Sequence, residues 1–166
     1  MLNNLGYSIS EDSIRNGLQK TRWPGRFTIL GNQPLFIIDG AHNQEAALRL
    51  RESLDTYFPD QKWIYIMGVF KDKEYEQIAH IMTSSAASIH TVSLPNAERT
   101  LSAKELANVV TEHCDEDTNI YMEDSIANAV AHALEESKQN ALPILTFGSL
   151  SYLGEIMEQH KLLTQQ

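Results

Sequence analysis

The 166-residue sequence contains one cysteine, Cys114, and no run of 18 apolar residues. A single cysteine excludes an internal disulfide and any cysteine-based zinc site. The apolar helical spacing of Cys114 predicts an unreactive residue in the core. Because the N-terminus lacks a basic region followed by an apolar one, neither a membrane span nor a secretory signal is predicted. We therefore expect a cytoplasmic protein that does not contact membranes.

Basic residues are also scarce, since 13 Lys and Arg stand against 22 Asp and Glu, and the net charge is -9. Nucleic-acid binding needs clustered cations along the phosphate backbone, so this composition argues against it. An anionic ligand would have to be attracted locally, because the field of the whole chain repels anions. The basic residues near the site predicted below are Arg22, Arg26, Lys71 and Lys73.

Two glycine-rich nucleotide motifs are absent from the sequence. It contains neither Gly-x-x-x-x-Gly-Lys-Ser/Thr nor Gly-x-Gly-x-x-Gly, so none of the usual glycine loops cradles a triphosphate or dinucleotide here. The chain offers at most half of a nucleotide site. No metal is predicted either, because five histidines show no ligand spacing: His80, His90, His113, His132 and His160.

The most informative segment runs from Pro34 to Asn43. A short apolar strand brings Asp39, His42 and Asn43 to one point, and an amphipathic helix begins immediately after them. Unpaired N–H groups at a helix start attract anions, and ligands of open α/β sheets bind beyond the carboxyl ends of strands. The segment therefore predicts a ligand site.

Periodicity predicts alternating strands and helices along the chain. Ser102 with Glu105 forms a capping box, Asp124 is the predicted cap of the next helix, and Gly31-Asn32 predicts a hairpin turn. The predicted strands are 27–30, 34–39, 63–69, 88–94, 119–122 and 143–147. The first three predicted helices are 11–21, 42–57 and one through Tyr75, Ile78, Ala79 and Met82. The other three begin at Ser102, after Asp124, and at Ser149, the last with Leu153, Ile156 and Met157 inward. This order predicts an α/β fold: a Rossmann-like, mostly parallel sheet of about six strands, with one antiparallel edge strand and helices on both faces.

Four segments stand out along the chain: Trp23-Pro24-Gly25-Arg26, Asp39-Gly40-Ala41-His42-Asn43, Met67 to Lys73, and Phe147 to Tyr152. In register, they resemble the C-terminal domain of folylpolyglutamate synthase/dihydrofolate synthase, a branch of the Mur ligase superfamily. Together they cover almost the whole chain. The last segment departs from the family pattern, because Phe147 takes the place of a threonine and Ser151 precedes Tyr152.

The resemblance also implies a domain organisation. Met1 stands where the ATPase domain of the family would be ending, so we expect a fragment or a separately expressed domain. Residues 1–22 would be a tail or linker helix from the missing N-terminal ATPase domain, and residues 23–166 the glutamate ligase domain. We expect a monomer whose isolated domain is inactive as a ligase.

The activity implied by the resemblance is ATP-dependent addition of L-glutamate to a folate or to dihydropteroate, through an acyl phosphate. The ATPase domain would supply the phosphate loop and the Mg2+ ligands, while this domain closes over ATP and binds the incoming glutamate. By the family match, Arg26 is catalytic and reaches an ATP phosphate, Asp39 binds the nucleotide, His42 acts near the acyl phosphate and the glutamate, and the remaining substrate contacts are Asn43, Ser149 and Lys71.

The residues themselves leave simpler interpretations open. Asp39 and Asn43 could cap the following helix, Ser149 could be an ordinary N-cap, and His42 could be a packed histidine. A stand-alone Rossmann-like binding or regulatory module is the alternative function, and a peptidoglycan Mur ligase C-terminal domain is the alternative relative. Gly40, which would let the backbone approach a ligand, favours the folate branch.

Overall fold

A six-stranded sheet organises this chain, for which the computed structural model describes residues 2–21 and 23–165. The strands are β1 (Thr28–Asn32), β2 (Leu35–Ile38), β3 (Trp63–Met67), β4 (Ala86–Thr91), β5 (Asn119–Met122) and β6 (Ile144–Phe147). The helices are α1 (Glu11–Lys20), α2 (Gln44–Tyr57), α3 (Tyr75–Met82), α4 (Ala103–Thr111), α5 (Ile126–Asn140) and α6 (Leu153–Thr164), with short 3-10 turns at Leu2–Leu5 and Thr83–Ser85. Among the described residues, no helix has the length and apolar character to cross a bilayer.

The strand order is β1-β2-β6-β3-β4-β5, in which β1 pairs antiparallel with β2 and the other pairs are parallel. The predicted α/β sheet with one antiparallel edge strand is confirmed. Because β6 lies between β2 and β3, the carboxyl ends of these three strands lie side by side. The segment that follows β2 therefore meets the segments that follow β3 and β6.

Helices cover both faces of the sheet, as predicted. Successive side chains of a strand point to opposite faces, and in β3 Trp63, Tyr65 and Met67 join one core cluster while Ile64 and Ile66 join the other. Helices α2, α3 and α4 pack on the first cluster, and α5 and α6 pack on the second. Helix α1 has no buried residue.

Local signals predicted helix α4 well. The capping box of Ser102 and Glu105 is present with both reciprocal hydrogen bonds, and Ala103, Leu106, Ala107 and Val110 are all buried. Its neighbour α5 begins differently from the prediction, because Ser125 and not Asp124 accepts the hydrogen bond of the first turn, from the Asn128 amide.

Three further sequence predictions were wrong in detail. The residues predicted to form the hairpin turn, Gly31 and Asn32, are the end of β1, and the chain reverses at Gln33-Pro34. Met157 is 39% exposed and does not point inward. Cys114 lies beyond the end of α4, where it is half-buried against the core, and burial raises the pKa of its thiol.

Candidate functional site

The segment after β2 is held at the junction of three strand ends. The Asp39 amide donates to the Thr146 carbonyl at 2.9 Å, and the Gly148 amide donates to the Ala41 carbonyl at 2.8 Å. The Gly68 amide lies 3.5 Å from the Phe147 carbonyl that it approaches. These backbone contacts fix the segment Asp39 to Asn43, which we call the β2 turn, against the end of β6.

Glycine is required at this junction. Gly148 has φ +113°, and a Cβ placed on it would lie 2.4 Å from the Gly68 carbonyl oxygen, which is backbone and cannot move aside. Gly40 was expected to let the backbone approach a ligand, but the space beside it is filled within the fold. A Cβ there would lie 2.6 Å from Leu150 Cγ and 3.2 Å from the Gly25 carbonyl oxygen.

The Asp39 carboxylate connects the β2 turn to the loop that carries Arg26. Its Oδ1 accepts from the Ala41 amide at 2.8 Å, and its Oδ2 accepts from the Phe27 amide at 2.7 Å. Burial raises the pKa of Asp39, whereas these two amides and the charge of Arg26 lower it in part. Asp39 does not cap helix α2, so its capping interpretation is wrong.

The loop around Arg26 is fixed by its backbone, while the arginine side chain is exposed. The Gly40 amide donates to the Gly25 carbonyl at 2.7 Å, and the Gly25 amide donates to Thr28 Oγ1 at 3.1 Å. Phe27 has φ 41°, an uncommon backbone conformation for a residue other than glycine. Strain of this kind persists only where the surroundings enforce it. Arg22, the other arginine named above, lies outside the described residues.

Arg26 and Asp39 line an open cleft of about 460 Å³ between this loop and helix α2. Besides Arg26, the cleft has one further cation, Arg49, which is paired with Glu52 at 2.8 Å. The lining residues are Arg26, Phe27, Asp39, Asn43, Glu45, Ala46, Arg49, Leu50 and Ser53. We call this the arginine cleft.

His42 and Ser149 line a second cleft, of about 360 Å³, with Phe70, Lys73, Arg99, Leu150 and Ser151. The His42 Nδ1 lies 2.7 Å from the Gly40 carbonyl, so it is the protonated nitrogen of the neutral ring and Nε2 is left as an acceptor. Ser149 Oγ accepts from the Ser151 amide at 3.2 Å. We call this the histidine cleft.

Arg99 is the residue of this cleft that the sequence analysis missed. Its Nη2 donates to both oxygens of Asp72, at 3.1 and 2.9 Å, and its guanidinium lies 4.4 Å from the centroid of the Phe70 ring. The hydrogen bond from Arg99 lowers the pKa of Asp72. Within the described part of the chain, the Nε and Nη1 donors of Arg99 have no hydrogen-bond partner and are available to an anion.

Of Lys71 and Lys73, only Lys73 lines the histidine cleft. Lys71 is exposed and does not line the histidine cleft, although its amide donates to the Arg99 carbonyl at 2.8 Å. Lys73 does line it and lies 3.9 Å from Asp72. The cations that face the cleft are therefore Lys73 and Arg99.

Ser149 and Tyr152, both in the segment Phe147 to Tyr152, have different surroundings. Ser149 does not cap a helix, because α6 begins at Leu153 with Tyr152 before it. The Tyr152 side chain is fully buried, its hydroxyl donates to the Phe147 carbonyl at 2.6 Å, and burial raises its pKa. Tyr152 is a structural residue, whereas Ser149 is buried but borders the cleft.

Asn43 is the N-cap of α2, since its Oδ1 accepts from the Ala46 amide at 2.8 Å. Asn43→Ala should lower the free energy of unfolding by about 1 kcal/mol, because that amide loses its acceptor. Asn43→Asp keeps an acceptor and is the matched control, which should retain the wild-type melting temperature. Chemical denaturation measures both. Equal stability of the alanine variant and the wild type would contradict the capping role.

Comparison with known proteins identifies the family of this chain. Residues 25–150 match the family described as Mur ligase, glutamate ligase domain. The dihydrofolate synthase/folylpolyglutamate synthase of Bacillus subtilis is 26% identical over 155 residues, which cover 92% of this chain and 34% of that protein.

Solved structures share the fold. Mycobacterium tuberculosis folylpolyglutamate synthase, complexed with ADP and AMPPCP, superposes with a TM-score of 0.83 at 21% identity, covering 98% of this chain and 37% of that one. A bifunctional folylpolyglutamate synthase/dihydrofolate synthase with Mn, AMPPNP and L-glutamate bound gives a TM-score of 0.72 at 26% identity, covering 95% and 36%. The chain thus spans about a third of the length of these relatives. It is similar to folylpolyglutamate and dihydrofolate synthases, and it belongs to the family described as Mur ligase, glutamate ligase domain.

Proposed function

We propose that this chain is the glutamate-accepting domain of an ATP-dependent ligase that adds L-glutamate to a folate, or to dihydropteroate. The observation that carries the proposal is the division of the site by the β2 turn. Arg26 and Asp39 line one cleft, and His42 and Ser149 line the other. One short segment thus contacts a site for a phosphate-bearing ligand and a site for an amino acid.

The arginine cleft suits the nucleotide. Arg26 is exposed on a loop fixed by the Asp39 and Gly40 hydrogen bonds, so its guanidinium can reach a phosphate while its backbone stays in place. Each Asp39 oxygen already accepts one amide but retains a further lone pair, which is compatible with accepting from ribose hydroxyls. Similarity to synthases solved with ADP and with ATP analogues supports this assignment.

The histidine cleft suits the incoming glutamate. Lys73 and the free donors of Arg99 can bind its carboxylates, and a planar guanidinium is well matched to a carboxylate. The unprotonated Nε2 of His42 can take a proton from the amine as its nitrogen attacks the acyl carbon and phosphate leaves. Lys71, predicted to meet a substrate carboxylate, stands outside the cleft lining and is the weaker candidate.

In this proposal, the present chain does not supply the Mg2+ ligands. In the described ranges, 2–21 and 23–165, no three His, Cys, Asp or Glu side chains are arranged to hold a metal ion. We therefore assign the Mg2+ ligands and the phosphate loop to an N-terminal ATPase domain of the same polypeptide. ATP would then bind between two domains, and this domain alone should not ligate glutamate.

Titration of the isotopically labelled chain with ATP and with L-glutamate, followed by NMR, tests the assignment. ATP should shift amide resonances around Arg26 and the start of α2, and glutamate should shift those around Arg99 and Ser149. Arg26→Ala should weaken only the first response and Arg99→Ala only the second. A regulatory module should ignore both ligands, and responses located elsewhere on the surface would contradict the two-cleft assignment.

A further inference from the structure

A buried charged cluster lies apart from both clefts, between β4, β5 and α5. His90 on β4 is 2% exposed. Its Nδ1 lies 2.7 Å from Glu123 Oε1, just beyond β5, and its Nε2 lies 3.0 Å from Glu136 Oε2 on α5. None of these three side chains lines the arginine or the histidine cleft. We call them the His90 cluster.

Counting protons constrains the charge of this cluster. An ionised carboxylate only accepts hydrogen bonds, and a neutral imidazole has one N–H. Two ring-to-carboxylate hydrogen bonds therefore need two protons, which are either both on His90 or shared between His90 and one glutamic acid. The cluster holds one proton more than a neutral histidine beside two carboxylates.

The surrounding polar groups favour both protons on the ring. Glu123 Oε1 also lies 3.0 Å from His132 Nδ1, and Glu136 Oε2 also accepts from Ser88 Oγ at 2.9 Å. Each of the two carboxylate oxygens thus has two neighbours that can donate to it, and an ionised oxygen accepts from both most readily.

The remaining neighbours of the ring favour a cation as well. Tyr121 on β5 stacks on His90, with ring centroids 4.8 Å apart and planes at 24°, and aromatic faces attract cations. On the other side of β4, the strand partner of His90 is Ile66, which is apolar. The titratable groups that face His90 are therefore Glu123, Glu136, His132 and Tyr121.

We infer that His90 is a doubly protonated imidazolium whose two hydrogen bonds hold α5 against β4 and β5. We also infer that one of these hydrogen bonds is lost when the ring loses one proton. A neutral ring would turn a lone pair toward a buried carboxylate, which loses a hydrogen bond and leaves two acceptors facing each other. The packing of α5 at the His90 cluster thus responds to pH, and this response is independent of the activity proposed above.

NMR detection of the His90 ring nitrogens in the folded chain tests this inference. Both nitrogens should be protonated at neutral pH. When the pH is raised until one proton is lost, amide exchange should accelerate in β5 and in the part of α5 around Glu136, and α4 should be unaffected.

Glu136→Gln and its neighbour Glu135→Gln form a matched pair, since Glu135 is exposed and contacts Gln139 on the same helix. With one of its two charged acceptors removed, His90 should lose its second proton at a lower pH in Glu136→Gln than in the wild type, and Glu135→Gln should titrate like the wild type. A His90 ring with a single proton in the wild type at neutral pH would overturn the inference, even if Glu136→Gln fails to fold. Identical titration of the two variants would overturn it as well.

Discussion

Gly148→Ala should destabilise the chain by roughly 2 to 6 kcal/mol, which combines the cost of a strained backbone conformation with that of overpacking. Gly148 has φ +113°, and an added Cβ would lie 2.4 Å from the Gly68 carbonyl oxygen and 2.9 Å from Val69 Cγ1. Relief of this clash requires the ends of β3 and β6 to separate. A domain of this size has only about 5 to 15 kcal/mol of stability, so the loss is a large fraction of the total.

Gly154→Ala is the matched control for this prediction. Gly154 lies in α6, and a Cβ there would have no atom within 4 Å. Alanine is favoured over glycine inside a helix by up to about 1 kcal/mol, so this variant should be as stable as the wild type or slightly more stable. Urea denaturation of both variants provides the comparison. Equal stability of Gly148→Ala and the wild type would show that the junction is not tightly packed.

Arg26→Ala should have the second large effect, on catalysis and not on folding. In a ligase that joins this chain to an ATPase domain, we expect a loss of roughly 2 to 4 kcal/mol of transition-state stabilisation, as for removal of one preorganised donor. The free energy of unfolding should change by less than about 0.5 kcal/mol, because the side chain is exposed.

Two variants separate this role from a general effect of surface charge. Arg26→Lys keeps the charge but loses the planar fork, so it should recover part of the lost rate. Arg15→Ala removes an exposed arginine of α1, which lies outside both clefts, and should leave turnover unchanged. Steady-state kinetics with glutamate and a folate measures all three. Normal turnover of Arg26→Ala would show that this arginine is only solvated.

The fold was predictable where local signals and tertiary packing agree. In α4, the Ser102 capping box fixes the start of the helix and apolar periodicity fixes its buried face, so both could be deduced from neighbouring residues. The hairpin was less predictable because the register shifts between Ile29 and Gly31, which keeps Gly31-Asn32 within β1. Such an irregularity depends on the partner strand and leaves no signal in a short window.

The positions of the candidate site residues were predictable for those that follow the end of a strand, and less predictable for the others. Asp39 and His42 come one and four residues after an apolar strand, so their position at the carboxyl edge of the sheet follows from the pattern alone. The hydrogen bond from the Phe27 amide to Asp39 could not be foreseen, because the two residues flank the hairpin and are twelve positions apart. Arg99 lies in a loop well beyond the end of β4, and only the fold brings it to His42.

The strand order has a consequence for how the chain becomes functional during synthesis. β6 joins β2 to β3, yet it is the last of the six described strands in sequence, so the first five cannot form one continuous sheet before residues 144–147 appear. Contacts of such long sequence separation form slowly, because loop-closure entropy must be overcome first. A nascent chain that already contains Arg26, His42 and Arg99 therefore still lacks β6, the strand that brings these residues together. Both clefts should mature together, and late, when the final strand inserts at the centre of the sheet.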